Sequence, residues 1–235
     1  KYIRKNILLI GGSYGMALAI AKDVQFENNV YIASRSNENL VDVKATYIPF
    51  DATTDTIDTS LLPTIIDGLV YCPGSINLRP FKGIKPEAFE TDLQINFISL
   101  VKVIQSVLPN LLASEQASIV TFSSVAASMG MPFHTSVSAS KGAIEGFAKA
   151  LAAEYAPKIR VNVIAPSLTN TPLADKFLNN ETKQEKSAER HPLKRFGKPE
   201  DSAQMATFLL SDKSSWISGQ IFHVDGGMST LLVNG

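Results

Sequence analysis

Along the chain, short continuous apolar runs alternate with longer stretches in which apolar positions recur with a helical period. The runs fall at 6–10, 30–33, 46–50, 68–72, 118–122, 160–164 and 220–224. Most are apolar throughout, as strands buried on both faces should be. Between the first two, Ala17, Ile20, Ala21 and Val24 recur at i, i+3, i+4 and i+7, which predicts a helix with one stripe against a sheet. Longer helices are expected over 91–112 and 138–155, and a last one over 199–210, opened by Pro199 at a first-turn position. This strand–helix alternation predicts a single doubly wound α/β domain over 1–235: seven parallel strands in the order 3-2-1-4-5-6-7, right-handed crossovers and helices on both faces. Ligands of such a sheet bind where the strand order reverses.

The segment 172–192 breaks the rhythm. It is polar and lies between the sixth strand and the last helix, so it reads as a mobile substrate lid within the domain, with a surface excursion without function as the alternative. Within and just after it, Lys183, Lys186, Arg190, Lys194, Arg195 and Lys198 interleave with Glu181, Glu185 and Glu189, a pattern that predicts a solvated face with i,i+4 pairs rather than a nucleic-acid patch.

Composition narrows the field. With 45% hydrophobic and 19% charged residues the chain is globular, and 22 basic residues against 22 acidic ones leave no global field for nucleic acid or a membrane surface. The single cysteine, Cys72, forms no internal disulfide. The apolar run at 7–10 is too short for a signal-peptide core, and the other runs are short as well, so a cytoplasmic protein is expected. His134, His191 and His223 stand far apart, and no metal site is expected.

The first strand runs into Gly11-Gly12-Ser13-Tyr14-Gly15-Met16-Ala17, with the helix starting inside it. Backbone amides and a helix N-terminus then converge on one point, which suits a pyrophosphate, and glycine keeps the approach open. A plain strand-to-helix turn is the alternative. After the second strand comes Ala33-Ser34-Arg35-Ser36, with a guanidinium and no carboxylate, a set that favours the 2′-phosphate of NADP over the free hydroxyl of NAD. NAD(H) remains possible, and so does an ordinary solvated arginine.

These elements resemble the short-chain dehydrogenase/reductase family, a Rossmann fold, over nearly the whole chain. Gly11 and Gly15 match the first two glycines of its T-G-x-x-x-G-x-G turn, with Ile10 for the Thr and Ala17 for the last Gly. Tyr71-Cys72-Pro73-Gly74 stands where the family has Asn-Asn-Ala-Gly, and Trp216-Ile217-Ser218-Gly219-Gln220 with Val224-Asp225-Gly226-Gly227 is close to its C-terminal signature. The resemblance implies that Gly11, Ser13, Tyr14, Gly15, Met16, Ser34, Arg35, Asp51, Ala52, Cys72, Pro73, Gly74, Lys141, Pro166, Leu168 and Thr171 line the coenzyme site, with Asp51 on the adenine and the 166–171 loop on the nicotinamide. It also implies catalytic places for Asn96, Ser124 and Lys141.

One departure matters for chemistry. The family's Tyr-x-x-x-Lys pair lies thirteen residues after its catalytic serine, and that register here reads Val137-Ser138-Ala139-Ser140-Lys141. Valine donates no proton, and a positioned donor contributes on the order of 10²–10⁴ in rate. His134 lies seven residues before Lys141, the spacing of the active-site Tyr in the related enoyl reductases, and is the first substitute, with a structural histidine as the alternative. Ser124 can bind a substrate oxygen, and Ser136 or Ser138 can relay a proton, or each can cap a helix.

The expectation is therefore an NADP-dependent oxidoreductase acting on a small carbonyl or conjugated enoyl compound. Its rival is a catalytically impaired NADP-binding module serving as sensor or assembly partner. Gly142, Gly146 and Ala150 near one helix face fit a homodimer or homotetramer, or close packing on the chain's own sheet.

Overall fold

The computed structural model describes residues 4–233; the outermost positions of the expected 1–235 domain lie outside the described residues. Among those described, the strands are β1 (Asn6–Ile10), β2 (Asn29–Ser34), β3 (Ala45–Pro49), β4 (Gly68–Tyr71), β5 (Ala117–Phe122), β6 (Ile159–Pro166) and β7 (Ile221–Val224). They form one sheet in the order β3-β2-β1-β4-β5-β6-β7, every pair parallel, as the alternating pattern predicts.

The helices are α1 (Gly15–Val24), α2 (Pro86–Leu93), α3 (Ser99–Leu112), α4 (Thr135–Tyr155), α5 (Asp175–Leu178), α6 (Glu181–Glu189) and α7 (Pro199–Leu210). Alternate residues of each central strand serve opposite cores. Leu8 and Ile10 of β1 join Leu100, Val103, Ile104 and Val107 of α3 and Ile144 and Ala148 of α4, whereas Ile7 and Leu9 join Ile20 and Val24 of α1 and Ala203, Ala206 and Leu209 of α7. Period-2 alternation with apolar residues on both faces makes the strands read as continuous hydrophobic runs.

Three expectations need correction. The helix placed at 91–112 starts at Pro86, where the fixed φ of proline suits a first turn, and it passes from α2 to α3 through a π turn, Gln94–Ile98. By length and composition this 27-residue helix could cross a membrane, against the expectation that every apolar stretch is short; its buried stripe on the sheet makes it a core helix instead. The polar segment 172–192 carries α5 and α6, and the expected i,i+4 ion pairs do not form within α6 among the described residues. Lys183 instead donates to the Lys176 carbonyl and to Asn179 Oδ1 at 2.7 and 2.8 Å.

The segment is fastened at both ends. Gly197 N donates to the Leu168 carbonyl and Asn170 N to the Gly197 carbonyl, each at 2.9 Å. Buried His191 bridges the Ser187 carbonyl and Ser167 Oγ at 2.6 and 2.8 Å. Leu178 and Ala174 are buried too, and Lys176 reaches the Ile76 carbonyl across the cleft at 3.2 Å.

Candidate coenzyme and active site

The strand order reverses between β1 and β4, and the turn leaving β1 is anchored to both neighbours. Gly11 N donates to the Ala33 carbonyl at 2.8 Å, and Cys72 N to the Ile10 carbonyl at 3.1 Å. Gly11 and Gly15 adopt φ of +80° and +55°, the left-handed region that side chains avoid. A Cβ on Gly15 would stand 3.1 Å from Thr171, so the loop after β6 closes directly over the turn. Gly12 is fixed by packing instead, since a Cβ there would meet Ile32 Cγ2 at 2.6 Å. Tyr14, the residue before α1, makes no side-chain cap, which leaves the first-turn amides to an outside anion.

One strand over, Ser34, Ser36 and Tyr14 form a hydroxyl cluster. Ser34 Oγ donates to the Ser36 carbonyl at 2.9 Å, and Ser36 Oγ to Tyr14 Oη at 3.2 Å. Asn39 Nδ2 donates to the Ser13 carbonyl at 3.2 Å, tying this loop to the glycine turn. Arg35 is exposed beside the cluster. Asp51 lies near it: hydrogen bonds from the Thr53 hydroxyl and amide hold its carboxyl below the usual value, and the Arg35 guanidinium lowers it further. Ala52 next to it is buried.

At the other end, Asn96, Lys141 and Gly74 meet. A Cβ on Gly74 would lie 3.1 Å from Asn96 Oδ1 and 3.4 Å from Lys141 Nζ. Lys141 is buried, and its Nζ donates to the Phe122 carbonyl at 2.9 Å. Burial pushes its pKa down to about 8, while nearby Cys72 and Asp92 act to raise it. Burial pushes the Cys72 thiol up to about 12, so Cys72 is neutral at physiological pH and gives Lys141 no counter-charge there.

Of the other candidate donors, Ser136 and Ser138 spend their protons inside the fold, whereas Ser124 keeps its O–H and His134 its Nε2. Ser124 Oγ accepts from Ala126 N at 3.2 Å, capping the turn after β5, and Ser138 Oγ donates to the Ala126 carbonyl at 2.6 Å. Ser136 Oγ donates to Asp92 Oδ2 at 2.5 Å. His134 Nδ1 bonds the Pro132 carbonyl at 2.7 Å, and among the described residues it makes no hydrogen bond to Ser124, Asn96 or Lys141. Residues 126–131 with Thr135 and Ser138 line an open groove of about 330 Å³ beside this end. Among the described residues no cluster of three or more His, Cys, Asp or Glu is arranged to hold a metal.

Asp92 is the residue that sequence reasoning missed. Fully buried, it accepts from Ser75 Oγ at 2.5 Å, Asn77 Nδ2 at 2.8 Å and Ser136 Oγ. The only signal for it in the chain is a carboxylate one turn before Asn96 on the inward face of a helix.

A family model described as enoyl-(acyl carrier protein) reductase matches residues 13–229. The chain belongs to the short-chain dehydrogenase/reductase family of oxidoreductases. Among relatives of this family, the 3-oxoacyl-[acyl-carrier-protein] reductase FabG of Thermotoga maritima is 39% identical over 164 residues, 69% of this chain and 66% of that enzyme. 2-(S)-hydroxypropyl-CoM dehydrogenase 3 of Xanthobacter autotrophicus is 31% identical over 96% of each chain. The aldohexose dehydrogenase of Thermoplasma acidophilum superposes with a TM-score of 0.88 at 26% identity, covering 99% of this chain and 96% of that one.

Proposed function

We propose that this short-chain oxidoreductase prefers NADPH and reduces a small carbonyl or conjugated enoyl substrate through an atypical site. The observation that carries the coenzyme reading is the end of β2: Arg35 stands beside the Ser34–Ser36–Tyr14 hydroxyls with no carboxylate in the place that would meet a free ribose 2′-hydroxyl. The rest of the cleft fits a dinucleotide. Gly11 and Gly15 leave a cradle that side chains would fill, the α1 amides face a diphosphate, and a Cβ on Gly74 would crowd the Asn96–Lys141 pair.

NADPH, when bound, would supply the hydride. Lys141 would hold the coenzyme ribose, and its depressed pKa would make that donor sensitive to pH just above neutrality. Met16, Pro73, Pro166, Leu168 and Thr171 would wall the coenzyme in, and Ser124 would hold the substrate oxygen. His134 is the proton donor. Its Nδ1–H is held by the Pro132 carbonyl, which leaves Nε2 as the ring atom that would face a substrate. The relatives act on a 3-oxoacyl chain and on hydroxypropyl-CoM, both small oxygenated groups carried on a larger handle. The working form is a cytoplasmic homo-oligomer.

A second reading rests on Val137, which is buried and, by the resemblance, takes the register of the family's proton donor. It describes an NADP-binding module without turnover. Stopped-flow loss of NADPH absorbance against ketones, aldehydes and enoyl thioesters separates the two. Turnover that His134→Ala lowers about 10²-fold supports the first reading, and tight NADPH binding with no turnover across the panel supports the second.

A further inference from the structure

The polar groups around Asn96 form a chain whose hydrogen-bond direction is fixed from one end. Asp92 can only accept, so the single proton of Ser75 Oγ goes to Asp92 Oδ1 and leaves Ser75 Oγ to accept from Asn96 Nδ2 at 3.1 Å. The proton of Ser140 Oγ goes to the Val137 carbonyl at 3.0 Å, so this hydroxyl too must accept from Asn96 Nδ2, at 3.1 Å. Both amide protons are thereby assigned. Asn96 Oδ1 must face the other way, toward Ser75 N at 3.2 Å and the space beside Gly74 where an added Cβ would meet both it and Lys141 Nζ.

We propose that Asp92 is a positioning residue: through Ser75 it sets the Asn96 amide so that its oxygen faces the Lys141 ammonium, and through Ser136 it pins the start of α4 beside Val137. The proposal rests on the reading of Lys141 as the coenzyme-facing cation. Asp92 touches neither coenzyme nor substrate, being fully buried between α2, α4 and the loop after β4. Asn77 adds a donor to the Ser75 side of the carboxylate, and Ser136 alone holds its other oxygen.

The geometry permits a clean substitution. In Asp92→Asn the amide oxygen can keep Ser75 and Asn77 while its NH₂ faces Ser136, whose hydroxyl then turns to the Ala88 carbonyl already 3.3 Å away. The bonds survive and the charge is lost. The ionisable groups that act on Lys141 are Cys72, from the end of β4, and Asp92, from α2. With the thiol neutral, Asp92 is the anion that supports the ammonium.

Competitive acetylation of coenzyme-free protein, with Lys141 followed by peptide mass spectrometry across pH, reads the Lys141 titration midpoint. Asp92→Asn should lower it by about one pH unit. Ser75→Ala, which frees the Asn96 amide but keeps the carboxylate, should lower it less, and Ser75→Thr should restore it. Variants that lose thermal stability while the midpoint stays at the wild-type value overturn the proposal, and if Asp92→Asn does not fold, an unmoved midpoint in Ser75→Ala does so alone. Failure of the wild type to bind NADPH in a parallel titration would instead sink the coenzyme reading on which the proposal rests, while a moved Lys141 midpoint would still show that Asp92 acts on the lysine.

Discussion

Val137 and Lys141 occupy successive turns of one buried face of α4, 4% and 8% exposed, so the space before the lysine is filled by an alkyl group with no proton to give. Placing a phenol there should restore what carbonyl reduction lacks. Val137→Tyr is expected to raise NADPH-dependent ketone reduction about 10²-fold over wild type, measured as loss of NADPH absorbance. The ring must extend into the substrate space, because the valine pocket is closed. No gain in a variant that still binds NADPH would mean that the pocket itself has diverged.

The lysine makes a pH prediction with two signs. Its folded pKa, about 8 against an ordinary 10.5, is depressed first by burial. Between these values the unfolded chain keeps a proton that the folded chain has released, so this group makes stability rise with pH across the window. Coenzyme affinity should move the opposite way, because the ammonium donor is lost above about pH 8. Thermal melts and NADPH titrations from pH 7 to 10 check both, and Lys141→Met should flatten both dependences while weakening NADPH about tenfold.

Arg35 and Asp51 predict the coenzyme discrimination. Among the described residues Arg35 is in no ion pair and acts on Asp51 through its charge alone, whereas a 2′-phosphate would take charge-assisted hydrogen bonds from it, each about 1.5–3 kcal/mol. Arg35→Ala should therefore weaken NADPH by roughly 10–100-fold and leave NADH almost unchanged, read by fluorescence titration. Equal losses for both coenzymes would place the guanidinium away from the 2′ position.

How far the chain could be read in advance follows from the range of its signals. β1 was read in full because four consecutive apolar residues after Asn6, buried on both faces, need no partner to be recognised. Gly11 and Gly15 were legible because the turn is local; the reason Gly12 is glycine was not, since Ile32 lies on another strand. The start at Pro86 carried a readable sign, proline followed by Glu87 in a first turn, but the helical period becomes regular only further on. The π turn places Asn96 without leaving a mark in composition. Least legible was the Ser75–Asp92–Ser136 cluster: three short polar residues far apart in sequence, each of which alone looks like a loop or cap residue, become one network only through the packing of α2 on α4.

The last prediction concerns assembly. Gly142 and Gly146 have open space where a Cβ would be, so packing on the chain's own sheet, one of the two explanations for these glycines, does not account for them. Glycine inside a helix is unfavourable by about 1 kcal/mol against alanine, a penalty that a close approach of a second α4 would offset. Gly146→Arg should keep the subunit folded, with unchanged circular dichroism, because among the described residues nothing lies within 4 Å of a Cβ placed there. It should also separate the proposed homo-oligomer, which light scattering would show as a drop toward the mass of one chain. If the variant keeps the wild-type mass, the α4 face is not the contact.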